Sequence, residues 1–154
     1  NSEIALYLLI YDNYYRTAPG TPMVDLTLET LQEDTTRLSD HMPPGCYTLL
    51  HCWSGWCKPC LDEMPNLIKA YDIYHDRGLN MIGIFLWDEA YNQDLLLEDY
   101  QLPWTQLYDP SSQTSIAYGI YSIPEIMLIA PDGTIIARSL RGAELFSTLD
   151  SIFG

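Results

Sequence analysis

Leu49-Leu50-His51-Cys52-Trp53-Ser54-Gly55-Trp56-Cys57-Lys58-Pro59-Cys60 is the stretch that decides the fold of this chain. Tyr47 to Trp53 is a nearly continuous apolar run between Pro43-Pro44-Gly45 and Ser54-Gly55, the pattern of a central strand buried on both faces. Helical spacing then runs from about Lys58 to His75, and Pro65 interrupts it one turn in, where a kink is expected. Leu79 to Trp87 reads as a second buried strand. Two such strands joined by a helix predict a parallel βαβ unit.

A Cys-x-x-Cys at the point where a strand hands over to a helix sets its first sulfur against unpaired amides and the positive end of the helix dipole. That environment favours thiolate, and thiols in such motifs fall from about 8.5 to roughly 3.5–7.5. Cys57 is therefore the expected nucleophile, and Cys60, one turn on and partly buried, the resolving thiol of a dithiol-disulfide exchange. Pro59 stiffens the helix start, and Lys58 adds positive charge near Cys57. A zinc knuckle or a structural disulfide is the competing reading of the pair. Zinc usually needs a second Cys/His pair at comparable spacing, and strand alternation sends His51 and Cys52 to opposite faces. No metal site is expected. Haem attachment would need a histidine after the second cysteine, where Leu61 stands.

On the N-terminal side, Ile4, Leu8, Tyr11 and Tyr15 recur at the spacing of one helix face. This helix stops near Ala18-Pro19-Gly20-Thr21-Pro22, the one candidate domain boundary. Met23 to Thr30 alternates like a short strand, and Ser39 to Gly45 is a polar, Pro-rich loop. On the C-terminal side, Glu89 to Tyr100 reads as a helix, Gln106 to Tyr108 as a short strand, and Ser111 to Tyr118 as a short helix. Ile126 to Ala130 and Thr134 to Arg138 flank Pro131-Asp132-Gly133, a hairpin signal, and Gly142 to Phe153 closes the chain as a helix. Strands alternating with helices and ending in a hairpin predict an α/β sandwich with a mixed sheet.

The composition agrees with one compact domain: 154 residues, 47% of them hydrophobic, can fill a single core. With 21 acidic and 7 basic residues, the formal charge of -14 repels phosphate backbones and anionic lipid, which excludes nucleic-acid and membrane-surface partners. No run approaches the roughly 20 apolar residues of a membrane-spanning helix. Residues 1 to 20 lack a basic n-region and a small-residue cleavage site. Because the chain begins with Asn1, a processed product or a piece of something longer is expected, with any signal outside it.

From about Thr17 to Gly154 the chain resembles the thioredoxin superfamily, and more closely the TlpA/ResA-like branch of bacterial extracytoplasmic thiol-disulfide oxidoreductases. The resemblance is carried by residues 49–60, by Glu63-Met64-Pro65, and by Tyr118-Gly119-Ile120-Tyr121-Ser122-Ile123-Pro124 followed by Leu128-Ile129-Ala130-Pro131-Asp132-Gly133. It implies a thioredoxin-like α/β fold, with a mixed central sheet flanked by helices and a C-terminal β-hairpin and helix. Residues 17–154 form that domain. Residues 1–16 lie outside the resemblance, and their helix is either an added element or the tail of an upstream domain, the second being the favoured reading.

The same resemblance makes Pro124 the cis-proline candidate, against an ordinary trans proline opening a strand, and Ile123-Pro124 the edge where an extended substrate docks; Trp53 and Trp56 flank the site, unless Trp53 is core packing. Glu63 is either a proton shuttle beside the disulfide or a solvated helix carboxylate. His51 stands six before the first cysteine, where thioredoxins commonly bury Asp and this branch often has Asn; it is either an acid-base group or a hydrogen-bonded core histidine. Cys52 replaces a usual aromatic and reads as inert packing. Cys46 reads the same way, although a third reactive thiol stays open.

The function implied is thiol-disulfide oxidoreductase, reducing disulfides in client proteins and recharged by an upstream thiol-disulfide donor. No cofactor beyond the Cys57-Cys60 disulfide is implied. The protein is expected to be monomeric and extracytoplasmic, periplasmic or tethered through a segment outside this chain. Two alternatives stand beside this. A peroxiredoxin needs Thr or Ser three residues before its reactive cysteine and Pro three before that, positions held here by Ser54 and His51. A non-catalytic module could dock partners or deliver a metal through two thiolates.

Overall fold

The computed structural model describes residues 1–88 and 98–154. In chain order the elements are helix α1 (Ser2–Arg16), strands β1 (Thr27–Thr30) and β2 (Thr35–Arg37), a 3-10 turn (Leu38–His41), strand β3 (Tyr47–Trp53) and helix α2 (Lys58–Tyr74). Strands β4 (Leu79–Phe85) and β5 (Thr105–Tyr108), helix α3 (Gln113–Tyr118), strands β6 (Glu125–Ile129) and β7 (Ile135–Ala137) and helix α4 (Gly142–Phe153) follow. The helix expected over residues 89–100 falls largely outside the described residues; residues 98–100 are helical.

The described strands make one sheet in the order β2-β1-β5-β4-β3-β6-β7. Strand β3 is central, parallel to β4 from Tyr47↔Leu79 to Trp53↔Phe85 and antiparallel to β6. Leu49, Leu50, Ile82, Ile84, Phe85, Met127 and Leu128 are fully buried along these three strands. Met64, Leu67 and Ala70 of α2 and Leu145 and Leu149 of α4 are buried as well. Each such Leu, Ile, Met or Phe side chain contributes about 1.5–3 kcal/mol, so the sulfur-bearing junction at the end of β3 stands on the buried core. Helix α2 runs on through Pro65.

Two expectations need adjusting, and one element was not foreseen. Strand β1 begins at Thr27 rather than Met23, because Met23 to Leu26 is held by scattered bonds rather than a ladder: Met23 N–H to Gly133 C=O, Val24 N–H to the Tyr118 hydroxyl, and Leu38 N–H to Leu26 C=O. Strand β4 ends at Phe85 rather than Trp87, whose backbone turns into the left-handed region at φ 55. The β1-β2 hairpin was invisible in the sequence. Its turn holds Glu33 at φ 67 with no glycine or asparagine, and depends instead on the Thr30 hydroxyl accepting from the amides of Gln32 and Asp34.

Helix α1 docks on α3 by its less conspicuous side. Asn13 Nδ2 donates to Ile116 C=O at 2.9 Å, and Thr17 Oγ1 donates to the Tyr118 carbonyl. At Gly119, φ 64, a Cβ would collide with the backbone of Ile10 and Tyr14. The Ile4, Leu8, Tyr11, Tyr15 stripe that signalled the helix faces outward, and every one of those side chains is exposed.

A buried ion pair locks this corner. Arg138 Nη2 lies 3.1 Å from Glu125 Oε2, with the two side chains only 5% and 8% exposed. Arg138 also donates to Thr17 Oγ1 and lies over the ring of Tyr14, while Glu125 accepts from the Ser139 amide at 2.7 Å. Removing one partner strands a buried charge. Arg138→Met is expected to lower stability by about 3 kcal/mol, and adding Glu125→Gln to restore much of it. Urea titration reads both, and a loss below about 1 kcal/mol for the single variant would contradict the pairing.

Candidate active site at the strand-to-helix junction

The chain leaves β3 at Trp53, crosses Ser54-Gly55-Trp56 and enters α2 at Lys58, so Cys57 is the N-cap residue and its Sγ accepts from the Cys60 amide at 3.2 Å. Pro59 sits in the first turn, where its missing N–H removes no helical hydrogen bond. Cys57 and Cys60 form a disulfide with Cα atoms 5.2 Å apart. Cys57 is 4% exposed and Cys60 0%, so only the first sulfur touches the surface. The expectation of a partly buried Cys60 becomes a fully buried one.

The loop before Cys57 is pinned from β4's continuation. Gly55 N–H donates to Asp88 Oδ2 at 2.9 Å, and Trp56 Nε1 donates to the Trp87 carbonyl at 2.8 Å. Facing it is the Ile123-Pro124 peptide bond, which is cis. The Ile123 carbonyl oxygen lies 3.5 Å from Cys57 Sγ, and Arg141 Nη2 donates to Pro124 C=O at 3.2 Å. Between these walls runs a groove of about 450 Å³ lined by Trp56, Cys57, Lys58, Pro59, Trp87, Tyr121, Ser122 and Ile123. Trp87 and Tyr121 are the residues that sequence reasoning missed. They lie far from the Cys-x-x-Cys in sequence, and only the β3-β4 register and the loop before Pro124 bring them to it.

Other candidates sit elsewhere than expected. Lys58 turns outward to Asp62 at 3.0 Å, an exposed i,i+4 pair that dilutes its charge near Cys57. Glu63 accepts from Asn66 Nδ2 and from the Gly142 amide at the start of α4, both at 3.3 Å, which joins α2 to α4. His51 is completely buried, stacked on Trp53 with centroids 5.3 Å apart. Among the described residues neither of its ring nitrogens has a hydrogen-bond partner, and burial pushes its pKa down to about 3.

Beside it, Trp53 Nε1 donates to Gln106 Oε1 at 3.1 Å. Gln106 lies against Gly83, the register partner of both His51 and Gln106, where any Cβ would collide with its amide. Trp53 is thus a core residue with a polar anchor. Burial raises the Cys52 thiol far above its ordinary range, as inert packing requires, whereas Cys46 is half-buried and unbonded. Among the described residues no cluster of three His, Cys, Asp or Glu side chains is placed to hold a metal.

A Cys-x-x-Cys disulfide capping a helix, with one sulfur in a groove beside a cis-proline at the end of a mixed sheet, defines a thiol-disulfide oxidoreductase of thioredoxin-like fold. The chain belongs to the AhpC/TSA family, whose model matches residues 19–138. It is 29% identical to the thiol-disulfide oxidoreductase ResA of Geobacillus thermodenitrificans over 96% of this chain and 88% of that protein. It is also 29% identical to the thiol:disulfide interchange protein DsbE of Allochromatium vinosum, over 74% of this chain and 62% of that one. Among solved structures, the thioredoxin domain of a Bacteroides vulgatus thiol-disulfide oxidoreductase superposes with a TM-score of 0.78 at 26% identity, covering 89% of this chain and 99% of that one. Neither alternative is favoured: His51 occupies the position where a peroxiredoxin needs proline, and the relatives are disulfide-exchange proteins.

Proposed function

We propose that the protein is an extracytoplasmic reductant of client-protein disulfides, with Cys57 as the attacking sulfur. The observation that carries the assignment of roles is the asymmetry of the pair: Cys57 at the floor of an open groove, Cys60 wholly buried behind it. In the reduced protein the Cys57 thiolate attacks one sulfur of the client disulfide, and the client's other sulfur leaves as thiolate. The Cys60 thiol then loses its proton and attacks Cys57 Sγ. That step closes the Cys57-Cys60 disulfide and releases the client's second thiol, so two electrons have passed to the client. An upstream dithiol donor reverses the cycle.

The remaining roles follow from position. Ile123 and Pro124 offer the backbone edge along which an extended client lies, and Trp56 is an apolar wall beside it. Pro59 and Lys58 shape the start of α2. Glu63, tied to α4, acts through the placement of α2 more than through a proton. His51 is a buried neutral imidazole under the site. Similarity to relatives named thiol-disulfide oxidoreductase and thiol:disulfide interchange protein supports the exchange chemistry itself.

The test is the reduction potential of the Cys57-Cys60 couple, with Cys46 and Cys52 changed to Ser, equilibrated in dithiothreitol or glutathione buffers. A value near about -270 mV or below is expected of a reductant. A value near about -120 mV would make the protein an oxidant, and the absence of a reversible couple would overturn the assignment altogether.

A further inference from the structure

Helix α1 carries an apolar stripe that the domain does not use. Ile4, Tyr7, Leu8 and Tyr11 follow the i, i+3, i+4, i+7 spacing of one face, and each is more than half exposed. The helix is already held by its other side, through Ile10, Asn13 and Tyr14. A stripe of this size left in water marks an interaction surface. Its position says with what. The ring of Tyr7 packs on that of Tyr121 with centroids 6.0 Å apart, and Tyr121 Oη donates to the Tyr7 carbonyl. Tyr121 is itself a wall of the groove that holds Cys57. Trp56 and Tyr121 thus line the same groove, and Tyr121 carries its exposed surface on to α1.

Charge narrows the occupant. The polar residues of α1 include Glu3 and Asp12, with Arg16 its one cation, and the chain as a whole carries -14. A helix that lies on a bilayer needs lysine and arginine on its polar face, so a lipid surface is excluded on these grounds. A polypeptide with apolar side chains and some basic residues fits both the stripe and the field around it.

We propose that α1 extends the client-docking surface of the Cys57 groove. A client threads its cysteine past Ile123 and lays a bulky apolar flank of the same segment across Tyr121 on to Ile4, Tyr7, Leu8 and Tyr11. The inference rests on the exchange reaction of Cys57 with clients and adds their class: extended or unfolded segments with large apolar residues near the target cysteine, in preference to compact hydrophilic disulfides.

The test is the triple variant Ile4→Gln, Leu8→Gln, Tyr11→Gln, which leaves the docked side of α1 intact. Three substrates are compared: hydroxyethyl disulfide, a disulfide peptide with Leu and Phe on both sides of its cysteine and Arg at its ends, and the same peptide with Ser at the apolar positions. The variant is expected to raise KM for the apolar peptide about tenfold with kcat unchanged, and to leave the other two substrates as they were. A second arm needs no redox step. Trp fluorescence titration with the apolar peptide carrying Ser for Cys should show a Kd about tenfold weaker for the variant.

Unchanged KM and Kd would overturn the proposal. So would sedimentation showing a dimer that the triple variant dissociates, since the stripe would then be covered by a second copy. If the unaltered protein fails to turn over even hydroxyethyl disulfide, the exchange assignment has failed, while the Ser-peptide titration still decides the docking surface.

Discussion

Cys57→Ser is expected to reduce disulfide turnover by about three orders of magnitude or more, to the rate without protein, whereas Cys60→Ser is expected to stop turnover by accumulating a covalent adduct with the client. The difference follows from access. Cys57 Sγ borders the groove, 3.5 Å from the Ile123 carbonyl, while Cys60 is fully buried behind it. A client sulfur can reach only the first. With Cys57 gone, the remaining thiol has no path to the substrate. With Cys60 gone, Cys57 still attacks, but no neighbouring thiol resolves the mixed disulfide. Non-reducing electrophoresis and mass spectrometry of the trapped species read the result directly. Adducts on Cys57→Ser and none on Cys60→Ser would reverse the roles. Cys46→Ser and Cys52→Ser are controls that leave turnover intact, the second because burial holds Cys52 as an unreactive thiol.

Much of this site was legible because its logic is local. A buried strand, a short turn and a helix that begins at Cys57 are encoded within residues 47–60, and the structure reproduces β3 and the start of α2 at the predicted residues. The cis-proline could be named from the residues around it through a family resemblance, not through any local rule. What stayed hidden was assembled from distant segments. Trp87 reaches Trp56 because β4 lies beside β3, and Tyr121 reaches Tyr7 because α1 folds back on α3. The periodicity of α1 was read correctly as a helix, yet an amphipathic pattern does not say whether its apolar stripe meets the core or is left for something else. Here the docked side is that of Ile10 and Asn13, and glycine at 119 was the signal for that close approach. Glu63 shows a different limit: its place in the motif left open a proton shuttle or a helix carboxylate, and could not reveal that its reach from α2 carries it to the Gly142 amide at the start of α4.

The second large effect is acid sensitivity from His51. The ring is completely enclosed and stacked on Trp53, and neither nitrogen has a partner among the described side chains. Burial therefore favours the neutral form and lowers its pKa from 6.5 to about 3. The sign follows from proton counting. Below pH 6.5 the unfolded chain binds a proton at His51 that the folded protein refuses until about pH 3, so stability falls as pH falls through that window and is unaffected above it. Across the whole window the loss is about 5 kcal/mol, and between pH 7 and pH 4 about 3 kcal/mol. His51→Asn keeps a polar side chain at this position but cannot titrate. Urea unfolding of the oxidised proteins at pH 7 and pH 4 should show the wild type losing about 3 kcal/mol more than the variant. Carboxylates held below their ordinary range by hydrogen bonds, such as Asp25 beneath Ser39 and Arg37, also weaken the fold in acid, but they are common to both proteins and cancel in the difference. Parallel losses in the two proteins would mean that the folded state accepts a proton at His51. The ring would then have a proton partner in the folded protein, and the acid-base reading of His51 would be the one to pursue.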